Sequence, residues 1–212
     1  MAQEEQKKPE VQPERIPLHF QLGEKLIDGA TLKPVSFQAF SDIVTEANGM
    51  TEPKAFETRL RRLRLSKQLN YHVNGSIVPV SPIEVLQIPL KDVHKLIDVV
   101  ETQEGVKGKV TRDGDGIAQA ITYELGTPIP QAGGKPPITE LEFHAVTYGD
   151  VEDVLSAPSQ ILQTVELINK VAKPLGTSLT VLPSWGVNAI TVADGLGIMN
   201  EILPRFLGTE KA

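Results

Sequence analysis

The sequence contains no cysteine, which excludes disulfides, thiolate nucleophiles and cysteine-based zinc sites together. It also has no uninterrupted apolar run of membrane-spanning length, and Met1 to Lys8 lacks the apolar core of a signal peptide. A cytoplasmic protein without a membrane partner is expected. Positive charge is in the minority, with 21 Lys and Arg against 27 Asp and Glu and a net charge of −6. Both sides of Gly105 are acidic, with 13 basic and 15 acidic residues before it and 8 and 12 after it. An acidic field repels polyanions at long range, so nucleic acid is a disfavoured partner.

Enzyme signatures are missing as well. His19, His72, His94 and His144 have neither the i, i+4 spacing of a helical zinc pair nor carboxylates in a ligand pattern. Gly126 to Gly134 contains no phosphate-binding glycine motif, and Leu182-Pro183-Ser184-Trp185-Gly186 lacks the first glycine of a nucleophile elbow. Asp113-Gly114-Asp115-Gly116 begins like an EF-hand loop, but position 122, where a bidentate glutamate belongs, is threonine. A turn between strands is expected there. No catalytic residue, metal or cofactor is assigned, and Trp185 is read as a packing residue.

What the chain does have is an echo. Leu22-Gly23, Phe37 and Asp92 match Leu125-Gly126, Phe143 and Asp194 at offsets of 103, 106 and 102. Near-constant spacing over separated landmarks indicates a diverged tandem duplication. The expected architecture is α+β: two related units, each a β-hairpin followed by a small helical cluster, with an additional bridging hairpin. Residues 1–14 read as a solvated tail, 15–105 as the first unit, 106–119 as the bridge and 120–208 as the second unit.

In the first unit Leu18, Phe20 and Leu22 alternate as in a half-buried strand, Gly23 to Ala30 carries turn formers including Asp28-Gly29, and Leu32 to Phe37 returns. Helices are expected over 42–48, 53–69 and 89–101, and Asn74-Gly75 marks a further hairpin. In the second unit Ile121, Tyr123 and Leu125 alternate, a loop spans 127–137, and helices follow over 148–155, 159–172 and 192–206. The bridging hairpin pairs 106–111 with 117–123. Asp92 and Asp194 precede apolar helical faces, where a carboxylate caps free N–H groups and asparagine is an adequate substitute.

Arg59, Arg61, Arg62, Arg64 and Lys67 form the one dense basic run. Steps of three and four place Arg59 beside Arg62 and turn Arg61 and Arg64 to another face. The run reads either as a solvated helix face or as a contact for an acidic protein segment. No aromatics interleave with it, so single-strand stacking is not expected.

The hairpin, the Phe-x-Ala element leading to an Asp, the two middle helices and the last apolar helix together resemble the phage tail assembly chaperone family. The likeness is carried by Tyr123-Glu-Leu-Gly-Thr-Pro-Ile129, Ile138-Thr-Glu-Leu-Glu-Phe143, Tyr148-Gly-Asp150 and Ile190 to Leu207, over 120–207 and more faintly over 16–103. The resemblance implies a non-enzymatic protein of the host cytoplasm that associates with the tape measure protein and aids tail tube polymerisation. A tail or baseplate component retained in the virion is the alternative, and self-association stays open. Family members are mostly single units, so the doubling is a departure.

Overall fold

The computed structural model describes residues 14–51, 55–102, 105–112, 120–144 and 147–207. The tail over 1–13, Pro53, the Asp113 to Gly116 turn and Ala145 lie outside these. The fold is α+β, with two four-stranded antiparallel sheets, each covered by helices.

The first sheet runs β1 (Arg15–Leu22), β2 (Lys25–Leu32), β3 (Leu69–Val73), β4 (Ser76–Val78), in that order. β1 alternates exposed and buried residues throughout, placing Ile16, Leu18, Phe20 and Leu22 in the core. The first turn is tighter than expected. Gly23, with φ of 59°, and Glu24 make it, so Asp28-Gly29 lies inside β2. There Asp28 holds Arg15 at 2.7 Å and accepts from the Asn74 N–H at 3.0 Å, a polar use of the turn-forming pair. Asn74 and Gly75 turn the second hairpin as expected, with φ of 50° and 80°.

The second sheet runs β5 (Lys109–Arg112), β6 (Ile121–Ile129), β7 (Ile138–Phe143), β8 (Ala172–Pro174). β5 pairs with β6 as the expected hairpin does, but as the edge strand of this sheet rather than a bridge.

The helices are α1 (Phe37–Gly49), α2 (Phe56–Lys67), α3 (Leu90–Thr102), α4 (Tyr148–Ser156), α5 (Gln160–Lys170), α6 (Ser184–Val187), α7 (Val192–Gly197) and α8 (Leu203–Phe206). Hydroxyl residues start four of them: Ser36, Thr147, Ser159 and Thr191 each accept a backbone N–H from three residues on. The expected helix over 192–206 is interrupted by a π turn, Ile198–Ile202. Pro204 lies two residues beyond it, where a proline ring crowds the preceding turn of a regular helix and a wider π turn makes room.

The repeat is present in altered register. Each half runs hairpin, two helices, then a third strand antiparallel to the hairpin's second strand, as β1-β2-α1-α2-β3 and β6-β7-α4-α5-β8. The match is closest afterwards. Val85 N–H donates to the Ser81 carbonyl as Val187 does to Pro183, Ile88 to Val85 as Ile190 to Val187, and Val93 to Pro89 as Gly195 to Thr191. Asp92 and Asp194 are both third residues of their helices. The other two landmarks fail: Gly23 is in a turn while Gly126 is inside β6, and Phe37 opens α1 while Phe143 closes β7. Loops of different length absorbed the shift.

The expected contiguous boundaries are corrected too. Among the described residues, one compact unit comprises 14–33 with 61–100, and the other comprises 34–60 with 101–207. Sequence from the first half therefore completes the second unit. Ser36 bridges Thr191, Phe37 N–H donates to the Ile190 carbonyl at 2.9 Å, and Phe37 and Phe40 join the second core. The ring of Phe37 lies directly on Gly195, where a Cβ would stand 2.0 Å from it. The repeat counterpart of Gly195 in the first unit is Val93, which packs partly buried against the first core. Glycine at 195 is therefore what leaves room for α1 to pack in the second unit.

Candidate functional site

The basic run does not form one surface. Arg62 is buried, and the Arg64 Nε donates to Gln68 Oε1 at 2.8 Å. Arg59 donates to the Met50 carbonyl just beyond the end of α1, as a cation at a helix C-terminus does. Arg61 and Lys67 remain exposed. At least Arg59 and Arg64 thus serve local structure.

Asp194 is not a simple cap. It is fully buried, and its Oδ1 accepts the N–H groups of Gly108 and Gly126 at 3.0 and 2.8 Å. Its Oδ2 accepts the Thr127 N–H at 3.2 Å and the Thr191 hydroxyl at 3.0 Å. The carboxylate thereby ties the segment before β5 and the middle of β6 to the start of α7. A Cβ on Gly126 would meet the Val106 carbonyl at 2.0 Å, so glycine permits this crossing. Beside it, the Tyr123 hydroxyl is buried, facing the Gly108 backbone. Burial first, then the Asp194 and Glu201 carboxylates, push its ionisation well above the ordinary tyrosine range. Chemically this is a structural node, closed to substrate.

Among the described residues of the second unit there is an open groove of about 680 Å³. One wall is the β6–β7 loop, with Pro130, Gln131, Lys135 and Pro136, and the other is the turn after β8, ending at Leu179. Gln131 Nε2 donates to the Pro136 carbonyl at 2.6 Å, pinning the loop across its base. Thr177 fixes the other wall, donating to the Pro174 carbonyl at 3.0 Å and accepting from the Leu179 N–H at 3.2 Å. Trp185 lies along the groove and is 47% exposed, which corrects its reading as a packing residue. Pro183 precedes the short helix α6, in which Gly186 and Val187 take the buried positions and Trp185 stays half-exposed. The signal available in the sequence was the Pro-rich loop, since a lone tryptophan beside an apolar helix looks the same buried or exposed.

An exposed aromatic between two pinned, largely apolar walls suits an extended or helical protein segment. Lys135 adds one cation at the rim. Among the described residues no cluster of three His, Cys, Asp or Glu could hold a metal, and no helix is long and apolar enough to cross a membrane. No family model, curated protein or solved structure matches this chain.

Proposed function

We propose that the chain is a non-enzymatic phage tail assembly protein, a chaperone that holds an apolar segment of the tape measure or tail tube protein until polymerisation displaces it. The observation that carries this reading is Trp185, a large aromatic left 47% exposed in a groove whose walls are held by hydrogen bonds. The resemblance of 120–207 to tail assembly chaperones supplies the identity of the client. Its place of action is then the host cytoplasm. A structural tail or baseplate component is the second reading. It is favoured by Ile83, the repeat counterpart of Trp185, which is 71% exposed and gives each unit one large apolar contact.

The test is co-expression with the tape measure and tail tube proteins of the same phage, followed by mass spectrometry of what co-purifies. Trp185→Ala is expected to weaken capture of the client by about tenfold with melting unchanged, as removal of an interface anchor does. Reversal of Arg61 and Lys67 to glutamate reports whether the client's contact is acidic. Unchanged capture by Trp185→Ala would overturn the groove's role. Stoichiometric presence in purified particles would select the second reading, and tight, salt-sensitive DNA or RNA binding would refute both.

A further inference from the structure

The groove beside Trp185 discriminates among the shapes a bound segment can take. Strand addition is disfavoured along its loop wall, because Pro130 and Pro136 have no N–H and the Pro136 carbonyl already accepts from Gln131. The Trp185 indole N–H and the Lys135 ammonium have no partner among the described residues, and both groups are donors only. A segment that covers them must bring acceptors, since a donor buried without a partner is costly. A helix uses its backbone carbonyls on its own N–H groups and offers the indole none. An extended polyproline II segment keeps every carbonyl free, and its proline rings pack on aromatic faces. Charge narrows the choice further. In a protein of net charge −6, the described lining of this groove holds no carboxylate and one cation, the exposed Lys135. A carboxylate on the incoming segment is therefore attracted here, against the acidic field of the rest of the chain.

We propose that this groove binds an extended, proline-containing segment of a partner protein that carries an acidic residue beside its proline. The proline packs on Trp185, a neighbouring backbone carbonyl accepts the indole N–H, and the carboxylate pairs with Lys135. Pro130 and Pro136 on one side and Leu179 on the other supply apolar contact. The hydrogen bonds of Gln131 and Thr177 hold both walls before the segment arrives, and polyproline II is itself pre-extended, so little further ordering is needed on either side. This rests on the groove reading above and narrows the client's contact to one chemistry. A client held there as a helix would leave that reading standing and defeat this one.

Trp185 is the single tryptophan of the chain, so its fluorescence reports this groove directly. The full-length protein is titrated with three capped peptides of equal length: a proline- and glutamate-rich one, the same with lysine for glutamate, and an uncharged amphipathic helix former. The first is expected to change Trp185 emission saturably and to bind about fivefold tighter than the second, as exchanging an exposed attraction for a repulsion implies. Lys135→Glu should reverse that order, and added salt should shrink the difference in both proteins. Circular dichroism of this variant is expected to match the parent, since Lys135 is exposed. No response to the first peptide, no preference between the charged pair, or a preference that Lys135→Glu leaves unchanged would overturn the proposal. Tighter binding of the helical peptide would overturn it while keeping the groove as the client's site, and silence with all three would overturn both.

Discussion

Asp194 shows how much one side chain can be asked to hold. Asparagine, expected from the sequence to replace it well, would turn an amide N–H toward at least one backbone donor. Asp194→Asn should therefore cost about 2–3 kcal/mol, and Asp194→Ala about 4 kcal/mol, as buried donors are stranded. Urea denaturation of the three proteins checks this, and an asparagine variant as stable as the parent would refute it. The tyrosines give a second residue-scale outcome. Burial raises the ionisation of Tyr71, whose hydroxyl donates to the Leu65 carbonyl at 3.0 Å, and of Tyr123. Each phenol contributes stability that is whole below the unfolded value of about 10 and lost as pH climbs above it. In a Tyr148→Phe background, absorbance at the phenolate band should thus stay low until the alkaline unfolding transition and rise with it. The position of Asp194 was legible in the sequence, but its donors were not. They are backbone N–H groups 68 and 86 residues away, and such groups carry no side-chain signature.

Among the elements, α1 is the one whose place the sequence misassigned. Its amphipathic pattern and Ser36 cap are local and readable, whereas its seat depends on the room left at Gly195, far along the chain. Gly195→Val should push against the Phe37 ring and dislodge α1, costing at least the ~1–3 kcal/mol typical of overpacking. Phe37→Ala should cost about 3–5 kcal/mol from the opposite cause, a cavity. In the double variant the cost of the valine should shrink, because the clash is gone; thermal denaturation of the four proteins measures that coupling. The hairpins divide in the same way. Asn74-Gly75 has one reading and was found, while Asp28-Gly29 offered a turn that the nearer Gly23 pre-empted. The π turn before Pro204 was hidden because its apolar spacing mimics an ordinary helix.

At the scale of the whole molecule, cutting the chain at its apparent midpoint separates α1 from its seat. A fragment of residues 1–105 should expose Phe37, Phe40 and Ile43, all buried in the intact protein, and aggregate. Co-expressed with a fragment of residues 106–212 it should be rescued and co-elute in size-exclusion chromatography, and Phe37→Ala should abolish the rescue. Two fragments that each fold and elute alone would contradict the division of the chain. The two-unit α+β plan was legible because hairpins and amphipathic helices announce themselves locally; the exchange of α1 was not, since tertiary fit decides it. That exchange also sets a timetable. A ribosome releases Phe37 about 170 residues before Phe206, so at ~5–20 residues per second the nascent helix waits roughly ten to thirty seconds for the last part of its core. During translation this protein is itself a chain with an unshielded apolar segment, dependent on whatever in the cell guards such segments.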